Sequence, residues 1–111
     1  VDHMGHVMPG DQLQLDRLLA LARHPSVFVK LSAFDQFGVA PFESLHPQIR
    51  GLIEAYGVDR LMWGSDLPVL ESGSAVRVEQ TLEFFRHELA LSADERAAIL
   101  GRTASRLFFR E

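Results

Sequence analysis

The chain has no cysteine among its 111 residues, which excludes disulfides, thiolate metal sites and cysteine nucleophiles. It has no apolar run near the roughly 18 residues that a membrane-spanning helix needs, and its first residues lack the basic-then-apolar layout of a signal peptide. It also lacks excess positive charge, since its net charge is −4 and its basic residues are scattered. We therefore expect a cytoplasmic protein that binds neither nucleic acid nor membrane.

What the chain does contain is an alternation of helix-like and strand-like segments. Asp11 and the capping box Ser92–Glu95 each predict the start of a helix, and Gly57 predicts the end of one. Apolar spacing predicts helices over about 12–23, 47–56, 75–89, 92–101 and 103–109, with Leu107 and Phe108 packing on the rest. Strand-like composition predicts strands over 26–31 and around Met62, and the end of another strand over 1–5.

This order of elements predicts an α/β fold with parallel strands and right-handed crossovers. Residues 33–47 and 71–74 are predicted loops, and a loop as long as the first is often functional. A closed (β/α)8 barrel needs about 250 residues. We therefore expect residues 1–111 to form one partial domain, the C-terminal piece of something larger.

The run from Arg60 to Pro68 is the most informative segment, because it predicts a buried strand that ends on a carboxylate, Asp66, with Pro68 stopping further pairing. Parallel α/β enzymes place bases and metal ligands at the carboxyl ends of their strands. The alternative interpretation is that Asp66 only caps the following turn through local backbone amides.

Four segments together resemble the amidohydrolase-related family, and within it the lactonase-like branch. They are Asp2–Gly5, Leu21–Ser32, Gly57–Pro68 and Leu91–Phe108. The resemblance is strongest in Trp-Gly-Ser-Asp-x-Pro and in its spacing from Val-Lys-Leu-Ser. It implies a distorted TIM-like (β/α)8 barrel, of which this chain would supply the sixth to eighth strands and the closing helices.

The resemblance also implies roles for Asp66 and His3. Asp66 would act as general base on the attacking water or bind a divalent metal, and His3 would bind metal or hydrogen-bond the carbonyl of the ester being opened. Taken alone, a histidine near the start of a chain is more often a surface residue. The resemblance leaves open whether a divalent ion such as zinc is bound. Two ligands fall short of the three that catalytic zinc requires, and relatives take further groups from earlier strands.

Four more residues are candidate substrate contacts, each with a structural alternative. His6 would touch an anionic substrate or be an exposed loop residue, and Lys30 would orient a carboxylate or form a surface salt bridge over its buried stem. Ser32 shares a strand face with Lys30 and would bond the same carboxylate. Trp63 would contact substrate or pack in the core.

The resulting hypothesis is a hydrolase that opens a lactone, a small-molecule carboxylate or cyclic ester, by water attack in the intact enzyme. One alternative is a metal-dependent decarboxylase of an aromatic or unsaturated acid. The other is an inactive truncated segment whose exposed strand edges drive self-association or pairing with a missing N-terminal barrel segment.

Overall fold

The computed structural model describes residues 1–66 and 76–109. Its strands are β1 (Val29–Leu31) and β2 (Leu61–Trp63). Its helices are α1 (Gln12–Ala20), α2 (His46–Tyr56), α3 (Val78–Glu83), α4 (Ala93–Ala97) and α5 (Thr103–Phe108). The predictions for Pro68, for the loop 71–74 and for the first residue of the third helix lie outside the described residues. In the part of the chain that is described, no helix has the length and apolar character needed to cross a membrane.

The two strands are parallel and pair in a register that sets Val29 opposite Leu61 and Leu31 opposite Trp63. Val1 lies on the other side of β1, where its carbonyl accepts a 2.8 Å hydrogen bond from the Lys30 amide. The Val1 ammonium donates to the carbonyl of Phe28 at 2.7 Å. The spatial order is therefore Val1, β1, β2, which confirms the predicted parallel arrangement.

The predicted strand over residues 1–5 is wrong beyond Val1. The backbone turns at once into a tight 3-10 turn, Asp2–His6, in which His3 and Met4 have the left-handed φ angles 51° and 52°. Met4 is fully buried in the hydrophobic core. The chain turns here because the Met4 side chain packs inward, and the turn leaves His3 at the carboxyl end of the sheet.

The helices around the sheet begin and end largely where the sequence indicates. The Asp11 carboxylate accepts a 3.2 Å hydrogen bond from the Gln14 amide and caps α1, which a short 3-10 turn, Leu21–Arg23, extends. Gly57 ends α2 with φ 72°, a conformation that favours glycine. The strand predicted over 26–31 is shorter than expected, because only its last three residues pair with β2.

The C-terminal helices are more continuous than predicted. The π-helical turn Ala98–Arg102 joins α4 to α5, so the helix does not end at Gly101, while the π-helical turn Phe84–Glu88 continues α3 within the range predicted for one helix. The predicted capping box is confirmed, since Ser92 Oγ accepts from the Glu95 amide at 3.1 Å and Glu95 Oε1 accepts from the Ser92 amide at 2.8 Å. The predicted packing is wrong for Phe108, which is 66% exposed, whereas Leu107 is partly buried.

Four phenylalanine rings form the densest part of the core, here called the aromatic cluster: Phe34, Phe42, Phe84 and Phe85. Each is at most 1% exposed. Their rings meet edge to face, with centroids 5.1 Å apart for Phe34 and Phe42 and 5.3 Å apart for Phe84 and Phe85. The first two rings come from the predicted loop 33–47, which is irregular as expected and holds 3-10 turns at Phe34–Gln36 and Glu43–Leu45. The length of this loop thus has a structural explanation.

Candidate active site

The two faces of the sheet have different surroundings. Val29, Leu31 and Leu61 are fully buried in the hydrophobic core. Because Lys30 lies opposite Met62, the alternation of side chains puts Lys30 and Ser32 together on the other face. Gly64 lies against both of them: a Cβ on Gly64 would come within 3.0 Å of Lys30 Cδ and 3.3 Å of Ser32 Cβ. This second face carries the polar candidates.

Asp66 follows β2 by three residues and sits where an active-site acid is expected, beyond the carboxyl end of a parallel strand. Its φ angle is 59°, which is left-handed, and its side chain is 18% exposed. The alternative interpretation, a cap on the following turn, concerns residues 67–75 and lies outside the described residues.

The first turn brings His3 to the same end of the sheet. His3 Nδ1 is 2.8 Å from Ser32 Oγ, and His3 Nε2 is 3.9 Å from Asp66 Oδ1. The first distance is a hydrogen bond; the second is too long for one but makes the two side chains direct neighbours. We call His3, Ser32 and Asp66 the site cluster. Three residues that are far apart in sequence thus meet at one point.

Backbone strain occurs at three of the predicted site residues. Six non-glycine residues of the described chain have positive φ, and His3, His6 and Asp66 are among them. Such a conformation costs on the order of 1–3 kcal/mol per residue and persists where the surroundings enforce it, often at functional sites. The geometry around His3 and Asp66 is therefore imposed by the fold.

The other candidates border the site cluster at different distances. The His6 ring meets the His3 ring edge to face, with centroids 5.2 Å apart. Lys30 Nζ lies 3.0 Å from Asp2 Oδ1, and this ion pair is largely solvent-exposed. The hydrogen bond and the charge of Lys30 lower the pKa of Asp2 below its ordinary value. Asp2 was not singled out by the sequence, in which nothing marks it as the partner of a residue 28 positions away.

Trp63 lies on the opposite face from the site cluster. Its indole N–H donates a 3.1 Å hydrogen bond to Thr81 Oγ1 on α3, and the ring packs against the hydrophobic core. Thr81 in turn donates to the carbonyl of Val78 at 2.7 Å. The structure therefore favours the packing interpretation of Trp63 and does not bring it to His3 and Asp66.

The site cluster does not make a complete metal site. His3 Nε2 and Asp66 Oδ1 are two donors that zinc accepts, but a catalytic zinc takes three protein ligands. Within residues 1–66 and 76–109, no group of three or more histidine, aspartate or glutamate side chains is arranged to hold an ion. The described residues therefore fit part of a metal site at most.

A cavity of about 500 Å³ lies elsewhere, at the amino ends of the strands. Phe28, Asp59 and Arg106 are among the residues that line it; Phe28 directly precedes β1, and Asp59 lies two residues before β2. In barrel enzymes this end of the strands serves stability, and the chemistry takes place at the carboxyl ends. We therefore assign the site to the cluster around His3 and not to the cavity.

Comparison with solved structures finds relatives along the whole chain. An amidohydrolase from Burkholderia multivorans with bound HEPES is 29% identical with a TM-score of 0.77, over 100% of this chain and 44% of its own. A structure of an amidohydrolase from the same species with bound zinc is 28% identical with a TM-score of 0.74, over 99% of this chain and 43% of its own. A candidate 2-pyrone-4,6-dicarboxylic acid hydrolase from Pseudomonas putida is 34% identical with a TM-score of 0.78, over 97% of this chain and 41% of its own.

The chain thus spans less than half the length of these solved relatives. The fold class is the predicted one, an α/β unit that corresponds to part of a TIM-like barrel. A search of curated proteins finds no match. The model of the amidohydrolase family matches residues 1–110. This chain belongs to the amidohydrolase family.

Proposed function

We propose that the complete enzyme opens a lactone by hydrolysis, with Asp66 activating the water and His3 polarising the carbonyl. The observation that carries the proposal is the distance of 3.9 Å between His3 Nε2 and Asp66 Oδ1 at the carboxyl end of the sheet. The Pseudomonas putida relative, named as a candidate 2-pyrone-4,6-dicarboxylic acid hydrolase, supports a cyclic ester as substrate.

Asp66 is suited to the role of general base. Its carboxylate is partly buried at a strand end and held by a left-handed backbone, so it is anchored while one oxygen faces His3. In the proposed reaction it accepts a proton from water as the oxygen attacks the lactone carbonyl. The ring C–O bond then breaks, the proton passes to the departing oxygen, and water plus lactone give a hydroxy acid or its tautomer.

His3 is suited to stabilise the charge that develops on the carbonyl oxygen. An imidazole N–H that points into the space beside Asp66 can donate to that oxygen without moving. A fixed donor is worth more than a mobile one, because it needs no reorganisation as the negative charge appears. The contact with Ser32 supports this role by fixing the plane of the ring.

Lys30 supports an anionic substrate. Its ammonium shares the face of Ser32 and is paired with the exposed Asp2, so a substrate carboxylate can take the place of Asp2. Lys30 lies in β1 and Ser32 directly follows that strand, so extended backbone spaces the two residues by about 6–7 Å. We propose His6, beside the ring of His3, as a second contact for the anion.

A divalent metal would be held in part by His3 and Asp66. Bound there, such an ion would supply Lewis-acid polarisation of a carbonyl and a more acidic water. Because the described residues hold only part of a metal site, we assign the steps of the reaction to the side chains themselves.

The proposal is tested by substrate preference in a complete barrel that contains these 111 residues. We expect 2-pyrone-4,6-dicarboxylate to be opened faster than the same pyrone ring without carboxylates. Lys30→Met should weaken binding of the dicarboxylate by about 10–100-fold, the effect of losing a charge-assisted hydrogen bond. Arg17→Met, which removes an exposed charge from α1, is the matched control.

Two outcomes would contradict the lactonase proposal. Failure of the complete barrel to open either pyrone would contradict lactone hydrolysis as the function of this site. Release of carbon dioxide from an aromatic or unsaturated acid, dependent on an added divalent ion, would favour the decarboxylase.

A further inference from the structure

Ser32 has an environment that a substrate contact would not need. Its side chain is 1% exposed, and its hydroxyl oxygen lies 2.8 Å from His3 Nδ1. The two ring nitrogens point in different directions, so Ser32 lies on the Nδ1 side of the imidazole and Asp66 lies on its Nε2 side. The hydroxyl thus has a hydrogen-bond partner within the protein, the His3 ring.

We propose that Ser32 is a positioning residue that holds His3 in the tautomer with its hydrogen on Nε2. The proposal rests on the proposed function, because it explains how His3 becomes a donor to the substrate carbonyl. A serine hydroxyl can donate to an unprotonated Nδ1 or accept from a protonated one, so its presence alone does not choose between the tautomers.

Asp66 favours a hydrogen on Nε2, and the Ser32 hydroxyl stabilises that tautomer by donating to Nδ1. Asp66 Oδ1 is 3.9 Å from Nε2. An Nε2 lone pair facing a carboxylate is repelled, whereas an Nε2–H bond facing it is attracted. Nδ1 is then the unprotonated nitrogen, and the Ser32 hydroxyl donates its hydrogen to it. The tautomer of a histidine is set in general by the hydrogen bond of its other nitrogen.

Two further contacts hold this arrangement in place. The His6 ring packs edge to face on His3 at 5.2 Å between centroids and limits rotation of the imidazole. Gly64 leaves room for Ser32, since any Cβ there would lie 3.3 Å from Ser32 Cβ. With the ring fixed, Nε2–H points into the space shared with Asp66, where the carbonyl oxygen of the substrate would lie.

The test is nitrogen-15 NMR of the 111-residue chain with labelled histidines in alkaline buffer. Correlations between ring hydrogens and ring nitrogens report the tautomer of each histidine, and His3→Gln assigns the His3 signals. We expect the Nε2–H form of His3 to dominate in the wild type and in Ser32→Thr, which keeps the hydroxyl. Ser32→Ala should shift His3 to a mixture, and Ser105→Ala, at an exposed serine of α5, should change nothing.

Circular dichroism checks that each variant is folded. If Ser32→Ala does not fold, the wild-type NMR spectrum still tests the predicted tautomer of His3. A wild-type His3 with its hydrogen on Nδ1 would overturn the proposal and would favour Nε2 as a metal ligand. An unchanged tautomer in folded Ser32→Ala would overturn it as well. Because no substrate is present, failure of the lactonase proposal would leave these spectra unaffected.

Discussion

The site cluster and the aromatic cluster are adjacent in sequence and opposite in character. Ser32 and Phe34 are two residues apart, yet the first faces His3 and the second is enclosed by three other rings. The site cluster is polar and partly accessible: 23% of the His3 side chain and 18% of the Asp66 side chain are exposed, whereas Ser32 is buried. The rings of the aromatic cluster are at most 1% exposed.

The comparison separates the residues that stabilise the fold from the residues proposed to carry out its chemistry. Burying an aromatic side chain contributes about 1.5–3 kcal/mol, so the aromatic cluster supplies a large favourable term. The left-handed residues His3 and Asp66 of the site cluster cost free energy, as does the left-handed Phe42 of the aromatic cluster. The buried rings therefore supply a favourable term that offsets backbone strain in both regions.

The largest expected effect comes from opening the aromatic cluster. Phe34→Ala should lower the free energy of unfolding by about 3–5 kcal/mol, because it removes a ring that contacts three others and leaves a cavity. Phe109→Ala, at a ring that is 77% exposed, should change it by less than about 0.5 kcal/mol. Denaturant unfolding measures both. Equal losses of unfolding free energy in the two variants would mean that the aromatic cluster stabilises the fold no more than an exposed ring does.

A smaller effect is expected on the sheet face that carries Lys30 and Ser32. Gly64→Ala should destabilise the chain by about 1–3 kcal/mol, because the new methyl group would crowd the stems of Lys30 and Ser32. Gly101→Ala, on a helix where a Cβ meets nothing within 4 Å, should stabilise it by about 0.5–1 kcal/mol. In thermal unfolding, alanine is thus predicted to lower the Tm at Gly64 and to raise it at Gly101. A stabilising Gly64→Ala would show that the site face has room to spare.

Much of the fold could be predicted from the sequence, because its signals are local. The Asp11 cap, the Ser92 capping box and the Gly57 helix end each depend on a few neighbouring residues, and all three are confirmed. The parallel pairing of β1 and β2 followed from the order of elements alone.

The errors have a common physical cause, which is packing between distant residues. Met4 turns the chain inward where a strand was predicted, and the phenylalanines of loop 33–47 enter the core without any period. Phe108 has the composition of a core residue and lies outside the core. No local pattern reports these outcomes.

The candidate site was predicted in part. His3 and Asp66 were singled out by a strand-end position and by family resemblance, and the structure brings them within 3.9 Å. The contact between Ser32 and His3 joins residues 29 positions apart and has no sequence signal of its own. The partner of Lys30, Asp2, was missed for the same reason.

The central claim is that Asp66 is the base that activates water, and one substitution tests it most directly. In the complete barrel, Asp66→Asn should lower kcat for lactone opening by at least about 100-fold, because the amide cannot accept the proton of the attacking water. Asp16→Asn, at an exposed carboxylate on α1, should leave kcat unchanged. Single-turnover hydrolysis by folded Asp66→Asn at the wild-type rate would contradict the account and remove Asp66 from the mechanism.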